Sequence, residues 1–202
     1  MNRFIAVCGI GCSGTSAVAG VLHESGCPMH LPFHSRTRPS GVGYYEDACF
    51  YCVFQEWNDQ RVKGLLQRHE QPPLWGLKHT LLAKSLLSII PLLHEMDNEV
   101  RVVAVHRELT ATIAGRMAGK CPPGRTFSQG EAEAWAVQAQ LEYMKALPSV
   151  SVPIHHVGFA DLIANPPEAI DKLLAFVYTG VGGADVDRDA AIKHVRPELK
   201  RR

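Results

Sequence analysis

No stretch of 18 or more apolar residues occurs in the chain, so no transmembrane helix is expected. Neither sign of charge dominates: 21 Lys and Arg against 20 Asp and Glu leave a formal charge of +1. A protein that coats nucleic acid is far more basic, so no nucleic-acid partner is expected. Residues AVILMFWYC make up 46% and DEKR 20%, ordinary globular usage that argues against general disorder. No internal repeat or low-complexity tract breaks the chain, and 202 residues suit one compact domain, 1–202. The start mimics a secretory leader, with Arg3, the apolar run Phe4 to Cys8 and a small-residue Ala17-Val18-Ala19. Gly9, Gly11, Ser13 and Gly14 interrupt what would have to be its apolar helix, and no leader is expected.

The six cysteines (8, 12, 27, 49, 52 and 121) show no regular disulfide framework for this length. Six reduced thiols in a cytoplasmic protein are expected. Cys49 and Cys52 form a C-x-x-C, but no second such pair exists to complete a zinc site. Their surroundings read as a helix carrying two small apolar residues, so no metal is expected.

What is present is a run of short apolar segments alternating with helical patterns. Residues 3–8, 74–78, 100–106 and 150–157 read as strands, the third (V-R-V-V-A-V-H) most clearly. Helices are expected over 15–25, 44–68 (with a break near Asn58-Asp59), 81–93, 109–117, 128–147, 166–176 and 186–196. Ser128 with Glu131 makes a capping box, and Pro166-Pro167 opens the penultimate helix. Residues 27–43 read as a functional surface loop. Strands separated by helices imply a parallel sheet covered on both faces, a three-layer α/β domain. Ligands of such sheets bind at the carboxyl ends of the strands, so the segments after residues 8, 78 and 106 should converge on one site.

Five glycines crowd positions 9 to 26. The first strand runs into Gly9-Ile10-Gly11-Cys12-Ser13-Gly14-Thr15-Ser16, which is the phosphate-loop spacing G-x-x-x-x-G-K-[ST] with Thr15 in place of lysine. Glycines let backbone N–H groups converge, and the helix that follows adds its positive end. Without the lysine that reaches the outer phosphates of a nucleoside triphosphate, an anion lacking a third phosphate suits the loop better.

The loop C-S-G-T-S with its apolar helix resembles the start of the P-loop sulfotransferases of small bacterial and phage type. Further segments are similar in order: Gly43-Tyr44-Tyr45-Glu46-Asp47, Trp75-Gly76-Leu77-Lys78, Val102 to Arg107, Phe159-Ala160-Asp161-Leu162-Ile163, and the ending Val195 to Arg202. The resemblance spans nearly the whole chain. It implies a P-loop nucleoside triphosphate hydrolase-like fold of sulfotransferase type. The implied donor is 3′-phosphoadenosine 5′-phosphosulfate (PAPS), and the acceptor a hydroxyl or amine of a small molecule or carbohydrate. By the same resemblance Gly11, Cys12, Ser13, Gly14, Thr15 and Ser16 hold the 5′-phosphosulfate, while Arg107 and position 115 hold the 3′-phosphate.

Three positions depart from that pattern. Cys12 replaces a basic residue, Gly115 replaces a serine, and His79-Thr80 replaces Asp-Pro after Lys78. Lys78 is then the candidate to neutralise the leaving oxygen, unless it is a solvated strand-end lysine. Glu46 and His34 are candidates for the base, with Asp47 and His30 beside them; ordinary helix-end and loop roles compete for each. The pair His155-His156 reads as structural. Residues 188–202 hold six Lys/Arg against two acids, so Arg196 or Lys200 can reach a phosphate or simply form a solvated tail. Two rivals remain: a kinase of the same fold, opposed by the missing lysine and metal-binding acid, and a degenerate adenosine-phosphate binder, favoured by Cys12 and Gly115.

Overall fold

A computed structural model of the chain describes residues 2–29, 58–67, 72–118, 127–182 and 185–195. Four strands are described: β1 (Asn2–Cys8), β2 (Leu74–Lys78), β3 (Asn98–His106) and β4 (Ile154–Gly158). They form one sheet in the order β2-β1-β3-β4, and every pairing is parallel. Val7 lies opposite Lys78 and His106 opposite Gly158, so the carboxyl ends gather along one edge.

Side chains along a strand alternate between faces. Phe4, Ala6, Cys8, Val102 and Ala104 therefore enter one core, and Ile5, Val7, Val103 and Val105 the other. The first core is closed by α2 (Asp59–Leu66), α3 (Leu82–Glu95) and α5 (Gln129–Ala146). The second is closed by α1 (Thr15–Glu24), α6 (Phe159–Ala164), α7 (Pro166–Tyr178) and α8 (Arg188–His194). The remaining helix, α4 (Leu109–Met117), follows β3 at the sheet's carboxyl edge. This is the expected three-layer α/β/α arrangement.

Local signals account for most boundaries. Asn58 caps α2 by accepting from the Arg61 N–H, which is where the sequence suggested a break. Ser128 and Glu131 form the capping box that starts α5. Pro166 opens α7 at its first turn. One strand start differs from expectation: β4 begins at Ile154, not Val150. Proline has no N–H to donate, so Pro153 contributes only its carbonyl, which accepts from Val102. Val150 and Val152 instead pack against the first core. The segment 159–163 is a short helix, α6.

The amino-terminal edge of the sheet is pinned by charge. Arg3, nearly buried, bonds Glu99 at 2.6 Å and donates to the carbonyls of Val177 and Thr179. Arg101 also holds Glu99. Partial burial alone would raise the Glu99 pKa, but the two arginines outweigh it and hold the carboxyl below its ordinary value.

Candidate functional site

The site begins where β1 ends. From Gly9 the chain doubles back, and the Ser13 N–H donates to the Ile10 carbonyl at 3.1 Å. A β-carbon on Gly9 would lie 2.7 Å from Ser13 Oγ and 2.8 Å from the Val105 carbonyl, so only glycine fits that turn. Cys12 and Gly14 both take left-handed conformations, at φ 66° and φ 100°. Alternation of this kind aims successive N–H groups into one concavity, the nest that receives anions. Helix α1 starts at Thr15 with no side-chain cap and no acidic residue in its first turn. Its first N–H groups thus face the same space.

A second observation points to a ligand there. Ser13 is fully buried, and its hydroxyl has no hydrogen-bond partner among the described residues. A buried hydroxyl left unmatched costs about 1–3 kcal/mol, a cost that an anion in the nest would remove.

Arg107 follows β3 and reaches back to this loop. Its Nη1 donates to the Cys12 carbonyl at 3.0 Å, and its guanidinium stacks 4.9 Å from the centre of the Phe159 ring. Burial lowers its pKa and the neighbouring Cys12 thiol raises it; a guanidinium still keeps its charge in proteins. Phe159 also covers Gly14, where any β-carbon would run into its ring. Loop, arginine and aromatic ring form one packed unit.

Lys78 is 2% exposed, so the alternative of a solvated strand-end lysine is corrected. The parallel register sets it opposite Val7, two residues before the loop. His79 beside it is also fully buried, and its Nδ1 accepts the Leu81 N–H at 3.0 Å. A neutral His79 therefore carries its proton on Nε2.

Two of the three departures from the family pattern prove to be neighbours. Gly115 is buried on α4, and a β-carbon there would stand 3.2 Å from Cys12 Cβ and 3.5 Å from its sulfur. Thr112, one turn earlier on the same buried side, has a hydroxyl with no partner among the described residues. The structure thus brings together Gly11 to Ser16, Arg107 and Gly115, with Lys78 entering the same sheet edge. Glu46, His34, Asp47, His30, Arg196, Lys200, Cys49 and Cys52 lie outside the described residues.

Sequence reasoning passed over Phe159, His79 and Thr112 as site residues. For His79 the signal was available, since it directly follows the carboxyl end of β2. The contacts of Phe159 with residues 14 and 107 carry no local signature. His156 has a specific structural partner: its Nδ1 lies 2.6 Å from Nε2 of His106, while His155 stacks on Phe176. Among the described residues no group of three or more His, Cys, Asp or Glu is placed to hold a metal ion, and no helix is long and apolar enough to cross a membrane.

No family model matches the chain, and no curated protein sequence matches it significantly. Solved structures do match. The sulfotransferase domain from the curacin biosynthetic pathway aligns over 98% of this chain and 89% of its own, at 15% identity and a TM-score of 0.55. A sulfotransferase from Mycobacterium avium aligns over 99% of this chain and 68% of its own, at 11% identity and 0.57. One from Alicyclobacillus acidocaldarius aligns over 100% and 89%, at 11% identity and 0.50. At such identities the likeness speaks for the path of the backbone, and that path is the P-loop sulfotransferase fold.

Proposed function

We propose that this protein is a cytoplasmic enzyme that transfers a sulfuryl group from PAPS to a hydroxyl or amine acceptor, carbohydrates included. The observation that carries this reading is the buried, partnerless Ser13 hydroxyl in the loop whose Cys12 and Gly14 take left-handed conformations just before α1. The donor's phosphosulfate has the chemistry that this nest lacks: a multiply charged oxyanion that accepts several hydrogen bonds at once. In the reaction the sulfur–oxygen bond to the phosphate breaks, a bond to the acceptor atom forms, and the acceptor proton leaves.

Ser13, Thr15, Ser16 and the loop N–H groups hold the 5′-phosphate. Arg107 has a fixed guanidinium with which to bind the 3′-phosphate, its planar fork being suited to such oxyanions. Lys78 neutralises the charge that builds on the leaving oxygen, the task that Cys12 cannot perform. Glu46 or His34 takes the acceptor proton.

A second reading has an observation in its favour. Cys12 lies against Gly115, so both changes remove polar groups from one spot. That suits a domain that binds an adenosine phosphate without turnover. Calorimetry with adenosine 3′,5′-bisphosphate, ADP and ATP with magnesium, followed by a sulfuryl-transfer assay with PAPS, separates the readings. The enzyme prefers the bisphosphate and consumes PAPS in the presence of an acceptor panel. Preference for ATP with magnesium would instead indicate a kinase. Bisphosphate binding without PAPS consumption leaves the degenerate binder.

A further inference from the structure

Helix α5 buries one face and leaves another bare. Ala132, Ala136 and Tyr143 are buried, Tyr143 within the first core and Ala139 packed against it. On the other side Val137, Leu141 and Met144 are 47%, 49% and 60% exposed. With exposed Ala134 they repeat at alternating spacings of three and four. That is the a/d seam of a coiled coil, whereas the outer face of an ordinary surface helix is polar. Leu87 of α3, 58% exposed, lies one turn beyond Lys84, which pairs with Glu142 of α5. The apolar strip therefore belongs to a two-helix surface.

The charges beside the seam indicate what fits it. Glu131, Gln138 and Lys145 follow one flank, and Glu133 and Gln140 the other; the four seam residues are symmetric about position 139. Consider a second α5 laid antiparallel across a two-fold axis at that point. Val137 then meets the partner's Leu141, and Ala134 meets the partner's Met144. The same operation brings Glu131 to the partner's Lys145, twice, and sets Gln138 and Gln140 each beside its own copy. No like charges face one another, and the opposed helix dipoles attract. The capping hydrogen bonds of Glu131 from Ser128 use Oε2, on the same carboxylate that the partner's Lys145 approaches. A parallel pairing would put Glu133 against Gln138 and Gln140 against Lys145, without an ion pair.

We propose that the outer face of α5 docks antiparallel on the same face of a second copy of this chain, forming a two-fold homodimer. One helix per subunit buries about 1,200 Å² or less, the lower end of specific interfaces. Association is therefore reversible, with a dissociation constant on the order of micromolar.

Sedimentation equilibrium of the full chain over roughly 1–200 µM tests this. The expected result is a monomer–dimer equilibrium that Leu141→Glu weakens at least about tenfold with unchanged circular dichroism. Lys145→Glu weakens it too, by setting two carboxylates together. Gln138→Cys yields a covalent dimer with a short bis-maleimide where the parent chain does not. A monomer at every concentration overturns the proposal, as does a dimer indifferent to Leu141→Glu. A dimer in which Gln138→Cys fails to cross-link overturns the antiparallel arrangement.

Discussion

Gly115 leaves room for Cys12, and any side chain added at 115 would press on it. A serine at 115 adds a hydroxymethyl group whose β-carbon starts 3.2 Å from that of Cys12. Neighbours in such contact have non-additive energetics. Gly115→Ser and Cys12→Ala should couple by about 0.5–1 kcal/mol in urea unfolding of the single and double variants; additivity would show that the two residues do not meet. Arg107 invites a sharper test. Its guanidinium is held by the Cys12 carbonyl and the Phe159 ring, so it meets a ligand without first being ordered. Arg107→Ala should weaken binding of adenosine 3′,5′-bisphosphate by about 2 kcal/mol, roughly 30-fold, as for a charge-assisted contact. Equal affinity for the variant in calorimetry would remove Arg107 from the site.

At the scale of elements, the loop between β1 and α1 combines strain and close packing. Gly14 sits at φ 100° beneath Phe159. Gly14→Ala should therefore cost at least about 1 kcal/mol in unfolding free energy and abolish bisphosphate binding, because the N–H groups of the nest turn with the backbone. Helix α5 offers a contrast, since its start is set by a local capping device. Ser128→Ala removes the capping-box hydroxyl and should cost about 1 kcal/mol, read by urea denaturation, with nucleotide affinity unchanged.

At the scale of the whole molecule, two cores on opposite faces of one sheet carry the stability, and histidines lie between the strands and the helices that cover them. Burial lowers the pKa of His106, and His156 beside it lowers it further. Burial likewise lowers His155, with His156 and Lys172 adding to the effect. The fold thus favours the neutral rings, and the unfolded chain takes up protons that the native state refuses. Stability should be fully present above the ordinary histidine value near pH 6.5 and decline as pH falls from there toward the lowered folded values. His156→Gln removes the second cause for both rings and should make that decline shallower in thermal melts between pH 5 and 7. Further acidification protonates Glu99, whose carboxyl is held low by Arg3 and Arg101; its stabilisation is present above its ordinary value and lost as pH falls through the folded one.

The sequence by itself determined the alternation of strands and helices, the parallel sheet and the phosphate loop. Each rests on signals that neighbouring residues carry: apolar runs in β1 and β3, the cap at Ser128, and glycines at fixed spacing after Cys8. Where apolar residues served packing instead of the strand ladder, as with Val150 and Val152, the same signals misplaced a boundary. Tertiary structure alone decided the rest. It clamped Arg107 onto a carbonyl 95 residues away, laid Phe159 over Gly14, buried Lys78, set Cys12 against Gly115 and turned one apolar stripe of α5 outward. These relations depend on how helices settle on the two faces of the sheet, and packing of that kind couples residues far apart in sequence that no local pattern marks as neighbours.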